Sequence, residues 1–280
     1  MFFLLNKPKG ISSFKHIKNF QHELKIKKCG HSGTLDPLAS GLLLIATDED
    51  TKLLPYIADK HKTYITTIQF GNSTSTYDAE GEITNRSSNL FTEKNIEKAL
   101  QWLKEQTSQI PPVFSAKKVN GVRSYDLARK NIDVELKPQK IEVSDVEFID
   151  FDFAKQQLKV KLRVSNGTYI RSLANDLGLA FNTYSFMAEL ERVEISGLEK
   201  NILANQNYIA IINILPFLSI DSLEVNSEQL DNLSKGKIIT YIANDGEYVL
   251  YNKSQSKLAL GIVEIKNNYL KVKKLFGNRL

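Results

Sequence analysis

Cysteine is almost missing from this chain: Cys29 is the only one in 280 residues, so no intrachain disulfide or cysteine-built zinc cluster can form and the thiol reads as packing. Histidine is scarce too. His16, His22, His31 and His61 show no His-Glu-x-x-His or other metal-ligand spacing, so no metal is expected. No apolar run reaches the roughly 18 residues that span a bilayer. Phe2-Phe3-Leu4-Leu5, followed by Asn6-Lys7-Pro8-Lys9-Gly10, is too short for a signal peptide and carries its charges on the wrong side, so no membrane attachment and a cytoplasmic location are expected. Gly30 and Gly33 are not followed by Gly-Lys-Ser/Thr, which removes the phosphate-loop reading, and Ser32 lacks the Gly-x-Ser-x-Gly frame of a hydrolase elbow. With no long-period repeat or heptad run, solenoid and coiled-coil architectures lapse as well.

What is present is the composition of an ordinary folded protein, 42% hydrophobic and 25% charged, long enough for two unequal domains. Thirty-seven basic against 32 acidic residues give a formal charge of +5, which suits a polyanionic partner. The excess is local: Lys117, Lys118, Arg123, Arg129 and Lys130 form one basic run, and Lys266, Lys271, Lys273, Lys274 and Arg279 another.

Phe2 to Leu5 predict a first strand, and Phe14, Ile17, Phe20, Leu24 and Ile26 at near-helical spacing predict a helix over 13–27, capped by Ser12 or Ser13. Leu42-Leu43-Leu44-Ile45-Ala46 is an unbroken apolar run that suits a strand buried on both faces. Residues 49–59 read as helical, 62–70 as a strand, and the polar stretch 71–91 as a long surface loop. Thr92 caps an amphipathic helix carrying Ile96, Leu100 and Leu103. Residues 139–152 and 157–164 alternate like an antiparallel pair. Gly167-Thr168-Tyr169-Ile170-Arg171 then leads into a short helix closed by Gly178, followed by a strand over 184–196 and a helical stretch over 205–218. After that, short strands separated by turns mark a domain boundary near residue 220.

Asp36 is the residue to explain, because it is one acid framed by glycines in Gly30-His31-Ser32-Gly33-Thr34-Leu35-Asp36-Pro37-Leu38-Ala39-Ser40-Gly41. Asp before Pro reads as a helix N-cap and also as a turn that exposes the carboxylate. As chemistry it can serve as nucleophile or base, with His31, Tyr64, Tyr169 and Arg171 available from neighbouring segments.

This string, with Lys62-Thr63-Tyr64 and Gly167-Thr168-Tyr169-Ile170-Arg171-Ser172-Leu173, resembles the TruB family of tRNA pseudouridine synthases, in the family's order. Asn6-Lys7-Pro8-Lys9-Gly10, Asp78-Ala79-Glu80-Gly81 and Ile110-Pro111-Pro112-Val113-Phe114-Ser115-Ala116-Lys117-Lys118 extend the likeness, which runs from residue 1 to about 200. The resemblance implies an α+β fold: a catalytic domain over 1–219 with a central, mostly antiparallel mixed sheet flanked by helices, an RNA-gripping insertion within 71–138, and a small β-rich PUA-like domain over 220–280.

It implies conversion of uridine to pseudouridine at position 55 in the T loop of tRNA, with no cofactor; no membrane and no obligate protein partner are expected, and a monomer is the default. Asp36 matches the family's nucleophile and Arg171 the arginine that pairs with it. Tyr64 matches the tyrosine that stacks on the target base and helps remove its C5 proton, and Tyr169 and Leu190 match positions lining the uracil pocket. His31 matches a histidine that helps extrude the nucleotide, and Lys52 resembles an active-site lysine. The run 117–130 lies where the family grips RNA. Glu191 stands where the family carries a second arginine. An RNA-binding module without catalysis and an aspartate-dependent hydrolase are the competing readings, and the second gives Tyr64 and the basic runs nothing to do.

Overall fold

Ser40–Thr47 lies at the centre of the molecule because its side chains are apolar on both faces, and each face has a different cover. The computed structural model describes residues 1–115, 117–119, 121–128, 134–252 and 258–279. Within them a nine-stranded sheet contains β1 (Phe2–Lys7), β2 (Cys29–His31), β3 (Ser40–Thr47), β4 (Lys62–Phe70), β5 (Val143–Asp152), β6 (Gln157–Val164), β7 (Ser185–Ile195), β8 (Leu198–Glu199) and β9 (Tyr208–Ile211). The strand order is β5-β6-β4-β7-β3-β1-β9, with β2 added to β3 and β8 to β7. All its pairs are antiparallel except β7 with β3, where Glu191 lies opposite Ser40 and Arg192 opposite Gly41. The mixed, mostly antiparallel sheet that the resemblance implied is present.

On one face Leu43 and Ile45 pack with Ile17 and Phe20 of the helix Ser13–Glu23, with Ala99 and Leu103 of Ile96–Lys104, and with Leu173 and Leu177 of Ile170–Ala180. On the other, Leu42, Leu44 and Ala46 meet Leu53 of the 3₁₀ helix Asp48–Tyr56, Val249 and Ile262 from a second sheet, and Phe276 just past its last strand in the chain. That sheet has five strands, in the order Ser222–Glu224, Gly246–Tyr251, Ala259–Lys266, Tyr269–Leu275 and Ile239–Thr240, and encloses its own cluster of Leu230, Leu233, Leu250 and Val263. The period-two alternation of β3 thus divides one strand between two cores. Among the described residues no helix is long and apolar enough to cross a membrane.

Several sequence expectations are corrected. Residues 205–218 are not helical: Tyr208–Ile211 is an edge strand hydrogen-bonded to Phe2–Leu5, and only Leu215–Phe217 makes a 3₁₀ turn, so sheet pairing overrides the local pattern. The helix expected to close at Gly178 runs on to Ala180. Gly178 lies inside it because a Cβ there would stand 2.4 Å from the Ser185 nitrogen of β7. The stretch 71–91 holds a ribbon, Asn72–Thr74 against Ile83–Arg86, and sends Asp78 inward. Asp36-Pro37 opens no helix; the Ala39 N–H donates to the Asp36 carbonyl (3.1 Å) in a tight turn. A helix, Ser227–Ser234, stands among the C-terminal strands where only strands were expected.

Candidate active site

The Asp36 turn is built from its flanks inward. Ser12 caps the first helix through the Lys15 N–H (3.2 Å), and Ser13, buried, ties the turn down: its hydroxyl accepts from the Leu35 N–H and donates to the Leu35 carbonyl, both at 2.7 Å. Lys7, fully buried at the end of β1, donates to the carbonyls of Pro8 (3.0 Å), Ile11 (2.7 Å) and Pro37 (3.4 Å). Burial brings this ammonium down to about 8, against the opposing pull of the Asp36 carboxylate. Gly41 leaves the turn at φ +103°, where a Cβ would lie 2.2 Å from the Arg192 carbonyl, so only glycine lets β3 and β7 meet.

Arg171 arrives from the opposite side, in the first turn of the helix Ile170–Ala180. The buried Gln109 fastens that helix start, accepting from the Tyr169 N–H (2.6 Å) and donating to the Tyr169 carbonyl (3.1 Å), while the Ser172 hydroxyl donates to the Ile110 carbonyl (2.7 Å). The guanidinium is buried and faces Asp36 with two nitrogens, Nε to Oδ2 at 2.9 Å and Nη2 to Oδ1 at 3.3 Å. It also donates to the carbonyls of Phe114 (3.0 Å) and Thr76 (3.3 Å) and lies 3.5 Å from Asp78. An arginine held on four sides orients a carboxylate more rigidly than a lysine could.

Asp36 is nonetheless reachable, with 39% of its side chain exposed against 6% for Arg171. Its carboxyl is held above the ordinary value of 3.8: desolvation is the largest cause, Asp78 adds to it, and Arg171 and Lys7 oppose it. The Glu80 carboxyl is raised as well, by burial and by Asp78 and Asp36. Asp36 and Asp78 therefore share one buried guanidinium, and Glu80 adds a further negative charge nearby.

A cavity of about 650 Å³ opens over this pair, and Asp36, Arg171, Tyr64, Tyr169 and Leu190 all line it. Five residues from four separate segments meet around one cavity. The Tyr64 ring, 6% exposed on β4, stands opposite Arg192 in the sheet register. His31 is not on that wall: it lies exposed at the end of β2, where Nδ1 accepts from the Gly33 N–H (3.3 Å), and desolvation and the Arg192 charge lower its pKa. Lys52 is not there either. It pairs with Glu49, and its ammonium lies 5.2 Å from the centre of the Phe276 ring, on the face toward the second sheet.

Lys117 donates to the Gln139 Oε1 (2.8 Å), and Gln139 in turn donates to the Gly167 carbonyl (2.8 Å), so Lys117 stands by the rim made by Gly167 and Tyr169. Lys118 and Arg123 are register partners in the backbone ribbon Lys118–Val119 and Val122–Arg123. Arg129 and Lys130 lie outside the described residues.

Sequence reasoning gave no role to Lys62, Asp78 or Arg192, although the first two stand in the strings that carry the resemblance. Asp78 was hidden in a segment read as surface loop; its carboxylate accepts from the Thr76 hydroxyl (2.5 Å) and the Glu80 N–H (3.1 Å). Glu191, where the resemblance puts a second arginine, has an arginine as its neighbour in β7. Alternation along β7 turns Glu191 out to an ion pair with Lys200 and sends Arg192 inward, fully buried, to line the cavity. The alternating pattern of 184–196 carried that signal. Arg192 donates through Nε to the Leu42 carbonyl (2.6 Å) and through Nη2 to the Gly33 carbonyl (3.2 Å), while Lys62 donates to the Asn166 Oδ1 (2.7 Å). Among the described residues no group of acids, histidines and cysteines could hold a metal.

The sequence profile of the TruB family pseudouridylate synthase N-terminal domain matches residues 21–170. The tRNA pseudouridine synthase B of Mycoplasma mobile is 42% identical over 281 residues, covering all of this chain and 96% of that protein. The protein of the same name from Aquifex aeolicus is 34% identical over 282 residues, covering 97% and 98%. In fold, the chain is similar to one in a crystal structure of a Cbf5-Nop10-Gar1 complex, with a TM-score of 0.66 at 16% identity over 98% of this chain and 84% of that one. A profile match reaching from the first helix to the start of the arginine helix, joined to full-length relatives, is decisive: the chain belongs to the TruB family of pseudouridylate synthases.

Proposed function

We propose that this chain converts uridine to pseudouridine at position 55 in the T loop of tRNA, with Asp36 as the nucleophile. One observation carries the reading: an accessible carboxylate, paired with a buried arginine, faces a cavity walled by two tyrosines and a leucine. The isomerisation breaks the bond between N1 of uracil and C1′ of the ribose, turns the base, and joins C5 to C1′. The C5 proton leaves and N1 gains one, so the reaction balances with no oxidant, reductant or co-reactant.

Asp36 attacks the nucleotide, and Arg171 keeps the carboxylate ionised and aimed at the sugar. Tyr64 stacks on the uracil and assists removal of the C5 proton. Tyr169 and Leu190 hold the ring while it turns. Because a uridine in a folded T loop is stacked, it must be everted into the cavity. That costs on the order of a few kcal/mol, recovered by pocket contacts and assisted by His31 from the end of β2. Lys117, with Lys118, Arg123, Arg129 and Lys130 in the same segment, grips the RNA backbone, and the sheet over 220–280 serves as a PUA-like RNA-binding domain. Lys52 has no place in this scheme, since its ammonium is engaged away from the cavity.

A T-stem-loop transcript carrying tritium at C5 of uridine tests the reading. The chain is expected to release one equivalent of tritium per RNA, and none when the uridine at position 55 is replaced by cytidine. RNA binding without tritium release would instead support a binding module.

A further inference from the structure

A second cavity, of about 280 Å³, opens between the first helix and the strands β1 and β9. Its wall is apolar and aromatic: Leu5 and Phe20 are buried, and the Tyr208 ring stands edge-on to Phe20 with centroids 5.0 Å apart. Its polar lining is almost uncommitted. Among the described residues the side chains of Asn6, His16, Asn19 and Asn207 have no hydrogen-bond or ionic partner. Desolvation, and then the Lys7 charge, lower the His16 pKa below 6.5, so the ring is neutral at pH 7 and offers one donor and one acceptor. Glu23 is the one charged residue of the lining: its Oε1 accepts from the Tyr208 hydroxyl (3.1 Å), which fixes the carboxylate and leaves Oε2 free.

We propose that this cavity binds an unpaired guanine base of the RNA, outside the target nucleotide. An ionised carboxylate only accepts hydrogen bonds, so Glu23 turns phosphates away and calls for an edge of N–H groups. The aromatic wall, with amide donors and acceptors around it, suits a planar heterocycle, and the volume, under half that of the Asp36 cavity, is enough for a base. Of the four RNA bases guanine alone sets a ring N–H beside an amino group, the pair a carboxylate takes with two oxygens, while its O6 and N7 accept from amides. Position favours RNA over a free nucleotide. The His16 N–H donates to the Ser12 carbonyl (3.0 Å), and Ser12 lines the Asp36 cavity, so one helical turn, about 5.4 Å of rise, separates residues of the two linings. Pro8, also in the lining, follows Lys7, whose ammonium holds the Pro37 carbonyl. The inference rests on the proposed function in that the base is taken to belong to the RNA on which Asp36 acts.

The test uses the full chain and guanosine 5′-monophosphate, followed through the side-chain amide NMR signals of Asn6, Asn19 and Asn207. Guanosine monophosphate should shift these signals, and inosine monophosphate, which lacks the amino group, should bind at least about fivefold more weakly. Glu23→Gln should erase that preference, and Asn19→Tyr, which plugs the cavity from an exposed position, should abolish binding of both. A full-length tRNA transcript should displace the nucleotide. When the unpaired guanines of that transcript are replaced one at a time by inosine, one replacement should weaken wild-type binding by about fivefold and Glu23→Gln binding by at most about twofold. Unshifted amides, or equal affinity for the two nucleotides, would overturn the proposal. A guanosine monophosphate that tRNA leaves in place would assign the cavity to a free nucleotide and overturn it equally. These binding measurements need no turnover, so their failure is distinguishable from a failure to make pseudouridine.

Discussion

Asp36 is under tension between desolvation, which favours its neutral form, and Arg171, which favours the carboxylate the chemistry needs. Because its pKa is raised above 3.8, kcat/KM should fall on acidification through a limb lying above that value. Arg171→Met removes the principal opposing charge, so the limb should move further up, with kcat lowered by about 100-fold or more. A pH–rate profile of the two enzymes checks both statements, and an unmoved limb would deny Arg171 its electrostatic role. The sign for stability follows. A raised folded-state pKa means that the ionised carboxyl costs stability, in full above the folded value, with relief as pH falls through it toward 3.8. Asp36→Asn should therefore unfold at pH 7 no earlier than wild type in thermal denaturation.

At this scale Asp36 stood out by its own setting, one acid framed by glycines, whereas the roles of Tyr64, Tyr169, Arg171 and Leu190 came through the family resemblance; all five line the cavity. Lys62 and Arg192 were given no role, because a lysine and an arginine in strands read as surface charge until register shows which way they point.

At the level of elements, the site depends on short ties rather than on helix or strand propensity. The Ser13 hydroxyl joins the first helix to the Asp36 turn by two buried hydrogen bonds. Ser13→Ala leaves the Leu35 N–H and carbonyl unpaired, at a cost of about 1–3 kcal/mol in urea unfolding, with a larger fall in kcat than in RNA affinity. Gly41→Ala meets the backbone of β7 at 2.2 Å and should destabilise by at least about 2 kcal/mol, measured the same way.

The strand over 62–70 was readable because Lys62-Thr63-Tyr64-Ile65-Thr66-Thr67-Ile68 is dense in β-branched and aromatic residues. Residues 205–218 were not, because Tyr208–Ile211 takes its conformation from the edge of β1, a partner some 200 positions away that no local window contains. Asp78 was quoted within Asp78-Ala79-Glu80-Gly81, but its inward turn was not legible for a related reason. Its neighbours are polar, and the loop is drawn in by the Arg171 guanidinium and by backbone hydrogen bonds of Tyr77 and Ala79 to Met187, all distant in sequence.

Across the whole molecule, the two sheets are joined by an apolar face and one buried charge cluster. Leu42, Leu44 and Phe2 pack against Val249, Ile262 and Phe276, and Arg279 reaches back to the buried Asp50 with both Nη atoms at 2.8 Å. Arg279→Leu should lower stability by about 2 kcal/mol, read from chemical denaturation, since it removes the bidentate partner of a desolvated carboxylate and leaves Asp50 only the Met1 ammonium at 2.6 Å. The net charge of +5 speaks to partner rather than fold: tRNA affinity should fall steeply as salt rises, and a flat salt dependence would contradict phosphate gripping. The division into a larger sheet and a smaller strand-rich one was visible as a change of pattern near residue 220, whereas their contact was not, because alternation within β3 shows two buried faces without showing what covers each.

The central claim is that the carboxylate of Asp36, held by Arg171, performs the isomerisation. The measurement that meets it most directly is single-turnover tritium release from C5-labelled T-stem-loop RNA by Asp36→Asn, with RNA binding recorded on the same samples. The account predicts wild-type affinity within a few-fold and no release above background. Release at even a hundredth of the wild-type rate by RNA-saturated Asp36→Asn would show that some other group does the chemistry.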